Sequence, residues 1–425
     1  MRFFHPHRLL KHVLGDKVCD KLYHSFLVWS TSRNYSSKIN YLRNKVRESK
    51  LRVVFYTNEP QKWSYESLYR ELESSSCFEP IIVVVPRYLV HLGRDLTRMT
   101  LEEQYAFYEE RGYNVEYGYK DGKYIDIALF KPDIFFYLQL AEIPGIDAPS
   151  IVSKYSLTCY CPYAFQLSDY KKEYLPIFHR LLFRYYVVHE LTRDRFESYE
   201  KGNARNCVAV GYPKLDVYRK KDFVDAGKIW RAPQKIRVIY APHHSVNDTF
   251  RFSTFSDNHD FILHLARSTD TTWVFKPHPM LRRAVVSAGL MTHDEIDAYY
   301  HSWAEIGRVY DSGDYFDIFK SSDVMITDCG SFLAEYLPSG KPLIRLINDK
   351  SCPLDRLGRF FSGGFYNVHT NDELLNVFNE VVLKNNDYLE TQRKRIAETL
   401  TDHQETAAHK VLRDLYSILN IKDGA

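Results

Sequence analysis

The chain has 425 residues, 26% of them charged and 45% hydrophobic, with a formal net charge of +3. That is enough for two or three ordinary domains, each with its own core, and the balance excludes a disordered or low-complexity protein. No run approaches the ~20 apolar residues that a bilayer-spanning helix needs.

Residues 1–50 read as a basic amphipathic arm. The first 52 residues hold 12 Lys/Arg against three acids, a local net of +9 in a chain of +3. Leu10, Leu14, Val18, Leu22 and Phe26 repeat every four residues, with Val13 beside them and Trp29 near the end. A helix with such a stripe and cationic flanks suits an anionic membrane surface, although most such stripes pack on the protein's own body. The start lacks the apolar core of a secretory leader, and the seven Cys are an odd number. A reducing, cytoplasmic setting is expected, peripheral at the inner face of the cell membrane if the arm binds there. The basic excess is confined to one end with no recognition motif beside it, so no nucleic acid partner is expected.

After the arm, Leu51–Tyr56 and Pro80–Pro86 read as buried strands, followed by strand candidates Val115–Tyr119, Asp133–Leu138, Leu157–Cys161, Tyr185–His189 and Cys207–Val210. A polar stretch from Tyr218 to Gln234 separates these from a second series: Arg237–Ala241, Thr272–Lys276, Val324–Thr327 and Leu343–Leu346. Apolar runs alternating with helical stretches imply parallel βαβ units. The expected organisation is an N-terminal Rossmann-like acceptor domain at 51–217, a C-terminal Rossmann-like donor domain at 235–395 and C-terminal helices at 396–425. Two such doubly wound halves would face each other across a cleft, with ligands at the carboxyl ends of the strands.

Three strand exits carry chemistry. Lys276-Pro277-His278-Pro279 follows an apolar strand; the prolines fix the backbone around His278, which can donate to a phosphate oxygen while Lys276 adds charge. Thr327-Asp328-Cys329-Gly330-Ser331 joins a strand to a helix with hydroxyls and a glycine, an arrangement suited to a diphosphate. Asp328 would repel a phosphate, so it orients the loop or caps the helix, or else acts directly in the chemistry. Glu335, one turn further on, reads either as the acceptor of ribose hydroxyls or as a solvated helix carboxylate. Ala241-Pro242-His243-His244-Ser245 follows a third strand, with Arg251 beyond it. The His pair invites a metal reading, but no third ligand lies at a diagnostic spacing; a contact from His243, His244 or Arg251 to a leaving diphosphate reads better. No metal or other cofactor is required.

Taken together, YAPHH, FKPHP, GYPKLD and SDVMITDCGSFLAEYLPSGKPLI resemble the CDP-glycerol glycerophosphotransferase family of teichoic acid and capsule synthesis, over about residues 207–346. The resemblance implies a GT-B fold with the donor held by the C-terminal domain, and pyrophosphate contacts from His278, Thr327 and Ser331. It also implies a peripheral membrane enzyme that extends lipid-linked acceptors. The family's first half carries a His-Gly pair whose His looks like the base for the acceptor hydroxyl. Here the matching stretch, Cys159 to Phe165, has no His, so either Asp169, His179 or His189 serves as base or the chemistry differs. Cys329-Gly330 also stands where the family often has Tyr-Ser.

The resulting expectation is a transferase that moves glycerol phosphate, or another polyol phosphate, from a CDP donor to a hydroxyl of a lipid-linked or surface-polysaccharide acceptor. His278, His243 and Asp328 are the catalytic candidates. Lys276, His278, Thr327, Gly330, Ser331, Glu335, His244 and Arg251 are the donor-binding ones. A nucleotide-sugar glycosyltransferase of the same fold would use the same pyrophosphate contacts, and an inactive nucleotide-binding partner would keep them without turnover.

Overall fold

A computed structural model describes residues 16–422, apart from residues 90–93, 96–98, 141–144, 172–175, 200–201, 220–223, 248, 312 and 402–403. The chain divides into two compact units: residues 1–163, 172–213 and 407–425 form one, and residues 164–171 and 214–406 the other.

The first unit is built on a seven-stranded parallel sheet. Its strands are β1 (Leu51–Thr57), β2 (Phe78–Val84), β3 (Val115–Tyr117), β4 (Ile134–Tyr137), β5 (Leu157–Tyr160), β6 (Arg184–Val187) and β7 (Cys207–Ala209), in the order β7-β6-β5-β4-β1-β2-β3. The central strands are apolar on both faces because helices cover both, as parallel sheets require. Phe55 of β1 stacks on Phe136 of β4 at 5.1 Å. Pro80 is tolerated inside β2 because β3 pairs only with Ile82, Val83 and Val84, so no neighbour on that side asks for the missing N–H.

A 30-residue helix, Asp16–Lys45, leads into this sheet. Its second half is anchored. Tyr35 is buried and donates from Oη to Leu181 O at 2.7 Å, while Lys38 and Lys45 reach Asp133 at 3.3 and 2.6 Å. Part of the basic excess read as membrane-facing is therefore spent inside the fold. Leu22, Phe26 and Trp29, in contrast, are each more than half exposed. Leu10, Val13 and Leu14 lie outside the described residues, as does the Val18 side chain. The C-terminal helices expected as one group at 396–425 are shared out: Glu390–Ala397 belongs to the second unit and Ala407–Leu419 to the first. The latter docks by stacking Tyr416 on Phe78 and pairing Asp414 with Arg184 at 2.9 Å.

The second unit has a six-stranded parallel sheet: β8 (Ile236–Ala241), β9 (Thr271–Phe275), β10 (Arg308–Val309), β11 (Val324–Thr327), β12 (Leu343–Leu346) and β13 (Tyr366–Val368), ordered β10-β9-β8-β11-β12-β13. One face packs Trp273, Phe275, Tyr299 and Trp303, with Phe275 stacked on Trp303 at 5.1 Å. Gly307 lets β10 approach this layer, since a Cβ there would sit 2.5 Å from the Trp273 carbonyl oxygen. The order places β8 centrally, between β9 and β11. The three chemistry-bearing exits are consequently neighbours at one sheet edge.

Candidate functional site

The exits of β8 and β9 are laced together by backbone bonds. Lys276 N donates to Tyr240 O at 2.8 Å and His278 N to Pro242 O at 3.0 Å. This brings three imidazoles into one cluster. His244 and His278 stack at 3.9 Å, His243 and His244 centre 4.3 Å apart, and ring nitrogens of all three lie within 4.8 Å of one another. Packing of the His243 ring, and then the adjacent His244, push its pKa down to about 3, so it is neutral at physiological pH.

The hydrogen bonds on the far side of two of these rings decide what they can bind. Ser245 N donates to His243 Nδ1 at 3.2 Å, and Met280 N donates to His278 Nδ1 at 3.1 Å. A nitrogen that accepts from a backbone amide carries no proton, so Nε2 of each ring is left as an N–H donor. A metal would need that Nε2 lone pair. Two of the three rings therefore present N–H groups suited to an anion.

Lys276 stands beside it, 4% exposed, with no carboxylate within 4 Å among the described residues. Its ammonium lies 5.6 Å from the Tyr315 ring. Burial lowers its pKa from the usual 10.5 to about 8. The charges of Cys329, Asp311 and Glu335 work against that lowering and Lys214 adds to it. A cation out of water with no carboxylate in ion-pair contact can take an anionic ligand.

The remaining sequence candidates divide by what their polar atoms are already doing. Asp328 is buried and holds the frame. Its Oδ1 accepts from His243 N at 2.5 Å, and its Oδ2 from Thr254 N at 2.6 Å and Thr254 Oγ1 at 3.0 Å. With its oxygens so engaged it positions His243, a structural role that speaks against the catalytic one expected for it. Burial nevertheless lifts it to about 6, against the lowering effect of these bonds. Thr327 is likewise committed: Oγ1 donates to Ala241 O at 2.6 Å and accepts from Cys329 N at 2.9 Å. It shapes the turn, and the hydroxyl expected on a phosphate has no proton left to give. Gly330 packs under Phe252, whose ring carbons a Cβ would meet at 3.4 Å, and Ser331 Oγ lies 3.7 Å from Cys329 Sγ.

Glu335 is not a solvated carboxylate. It is 1% exposed, accepts from Tyr315 Oη and lies 3.7 Å from Lys214 Nζ, which itself donates to Tyr315 Oη at 2.6 Å. Burial raises its pKa, opposed first by the Lys214 charge. A ribose would have to share or replace the Tyr315 contact. Lys214 and Tyr315 were given no role in the sequence reading. Only GYPKLD pointed toward Lys214, and nothing marked Tyr315. Arg251 is exposed in a loop where its backbone takes φ 47°.

Two of the proposed bases do structural work. His179 is 3% exposed, stacks on Tyr185 at 4.7 Å and is pushed down to about 3 by burial, so it is a core residue. His189 accepts from Leu191 N at 3.1 Å at the start of a helix. Asp169 belongs to the second unit, where its backbone N donates to Pro353 O at 2.7 Å.

A family model described as CDP-glycerol:poly(glycerophosphate) glycerophosphotransferase matches residues 184–416, more than half of the chain. The chain belongs to this family. It is a glycerophosphotransferase-like transferase. A search of curated proteins found no match. Among solved structures, S. aureus MnaA with UDP aligns at TM-score 0.58 and 14% identity, covering 88% of this chain and 98% of that one. The UDP-GlcNAc 2-epimerase from Neisseria meningitidis bound to UDP-GlcNAc gives 0.56 and 13%, covering 87% and 100%. A variant of the wall teichoic acid polymerase TagF gives 0.54 and 12%, covering 94% and 98%. At these identities the likeness concerns the fold, a GT-B pair of Rossmann-like units, and the family match carries the activity. Among the described residues no helix is long and apolar enough to cross a membrane.

Proposed function

We propose that this glycerophosphotransferase takes glycerol phosphate from CDP-glycerol and places it on a hydroxyl of a lipid-linked or surface-polysaccharide acceptor. The observation that carries the reading is the cluster of His243, His244 and His278 at the exits of β8 and β9, with the buried Lys276 two residues before His278. An acceptor oxygen attacks the β-phosphorus and forms a new P–O bond. The bond from that phosphorus to the bridging oxygen breaks, CMP departs with the electron pair, and the acceptor's proton is released. Imidazole N–H groups and the ammonium offset the charge growing on the departing phosphate, so the protein contributes mainly positioning and electrostatics. Glu335 and Tyr315 are assigned to the ribose side.

Incubation with CDP-glycerol or with UDP-sugars, followed by identification of the released nucleotide, tests this. CMP is expected; a nucleoside diphosphate released from a sugar donor would replace the reading with that of a glycosyltransferase. The exposed Leu22, Phe26 and Trp29 lie within two turns of one helix, next to the exposed Lys21, and are proposed to rest on the cytoplasmic face of an anionic membrane. Replacing the three apolar residues with Ser should release the protein from anionic liposomes. Unchanged sedimentation would refute the membrane contact.

A further inference from the structure

The sheet of the first unit carries a polar cluster that the donor site does not use. In the order β7-β6-β5-β4-β1-β2-β3, the chain runs outward one way from β1 and the other way from β4. The connections leaving these two strands therefore part in opposite directions, and such a reversal opens a crevice beyond their carboxyl ends. Tyr56 of β1 is in register with Tyr137 of β4, so Asn58 and Gln139, two residues further along each chain segment, stand level at that crevice.

Their side chains meet across it. Gln139 Nε2 donates to Asn58 Oδ1 at 2.6 Å, and Gln139 Oε1 accepts from Lys62 Nζ at 2.9 Å. Lys62 also pairs with Glu59 at 2.9 Å and lies 4.8 Å from the Tyr163 ring. Arg87, just past β2, reaches the same Glu59 oxygen at 2.5 Å. The exits of four neighbouring strands, β1, β2, β4 and β5, thus supply one network. It is largely withdrawn from water: the side chains of Glu59, Lys62 and Arg87 are 7%, 17% and 19% exposed. Charges so placed can cost more in lost hydration than they return in stability, and polar groups converging on a crevice suit a ligand.

The chemistry of the set selects the ligand. Carboxylate and amide oxygens accept hydrogen bonds, while ammonium, guanidinium and amide N–H groups donate them. A hydroxyl does both, so a ligand with several hydroxyls can satisfy this mixture, whereas a diphosphate would meet the Glu59 carboxylate. We propose that the crevice binds the polyol or sugar end of the acceptor. Glu59, Asn58 and Gln139 take its hydroxyl protons, and Lys62 and Arg87 donate to its oxygens. This inference rests on the transferase reading above, in which a hydroxyl compound must be held as well as the donor. It adds which residues hold that compound.

The test uses the full chain with a synthetic glycerol phosphate trimer as acceptor probe. Saturation-transfer NMR reads binding of the trimer, and calorimetry reads binding of CDP-glycerol. The trimer should bind the wild type and stay bound when CDP-glycerol is saturating. Gln139→Leu and Arg87→Gln should each weaken the trimer about tenfold or more, as loss of a hydrogen bond in a charged set does, while changing CDP-glycerol less than twofold. Unchanged melting shows that the variants fold, and the nearly isosteric Asn58→Asp carries the comparison if either melts early. A wild type that ignores the trimer, a trimer displaced by CDP-glycerol, or variants that weaken both ligands or neither overturn the crevice. Failure of CDP-glycerol to bind, with the trimer still bound and still sensitive to Gln139→Leu, refutes the donor reading instead and leaves the crevice standing.

Discussion

The Lys276 ammonium gives the sharpest quantitative expectation. Its drop from 10.5 to about 8 in a pocket that leaves it 4% exposed corresponds to about 3 kcal/mol against the charged form. A diphosphate charge about 4 Å away offers roughly 4 kcal/mol at an effective dielectric of ~20, enough to return the lysine toward its ordinary value. The sign follows from linkage: the free protein has lost the proton above pH ~8, the complex keeps it, and donor binding there takes a proton up. At about pH 8.5, some three-quarters of the free protein lacks the proton, so about 0.7 proton should enter per CDP-glycerol bound. At about pH 7 the figure falls to about 0.1. Titration calorimetry in buffers of different ionisation enthalpy measures this directly, and CDP-glycerol has no group of its own titrating near pH 8. For the same reason kcat/KM should fall about tenfold per unit above pH ~8. Lys276→Gln should abolish the uptake and weaken binding roughly 10- to 100-fold at neutral pH. Equal uptake at the two pH values, or uptake that persists in Lys276→Gln, would refute the claim that this ammonium waits for an anion.

His278→Ala should lower kcat at least 100-fold with an unchanged circular-dichroism spectrum, since it removes an N–H donor from the departing phosphate and not a core residue. Asp328→Asn should cost about 2 kcal/mol in chemical unfolding, because an amide nitrogen must then face a backbone N–H of His243 or Thr254. Burial lifts the Asp328 carboxyl from 3.8 to about 6, so the folded form holds that proton more tightly. Its contribution to stability is therefore present at low pH and lost as pH rises through 6, and the Asn variant should lack this dependence. Asp133→Ala removes the shared partner of Lys38, Lys45 and Arg52 N, and should cost about 3 kcal/mol while exposing the helix Asp16–Lys45 to protease.

Strands buried on both faces were readable because continuous apolar runs leave little alternative in a parallel sheet. β10 and β13 were not. The first has two residues, and the second alternates around the exposed Asn367 at the sheet edge, where one face needs no apolar cover. Within the site, strand exits with Pro, His and Gly announced themselves locally. The partners that decide their roles did not. Glu335 meets Tyr315 and Lys214 from positions 20 and 121 residues away, and Thr254 reaches Asp328 across 74. Spacing located the acids and could not tell which would be occupied once folded. His179 failed as a base for a related reason. A histidine inside a helical pattern looks the same whether it ends against Tyr185 and Phe196 or at a surface.

The ties from Asp328 and Thr327 stitch the exits of two neighbouring strands into a single rigid jig, against which Phe252 packs at Gly330. Retooling the enzyme for another donor should accordingly leave that jig alone. Libraries that vary the surrounding loops while sparing the stitches should yield folded proteins. Libraries that cut the stitches should mostly yield insoluble ones.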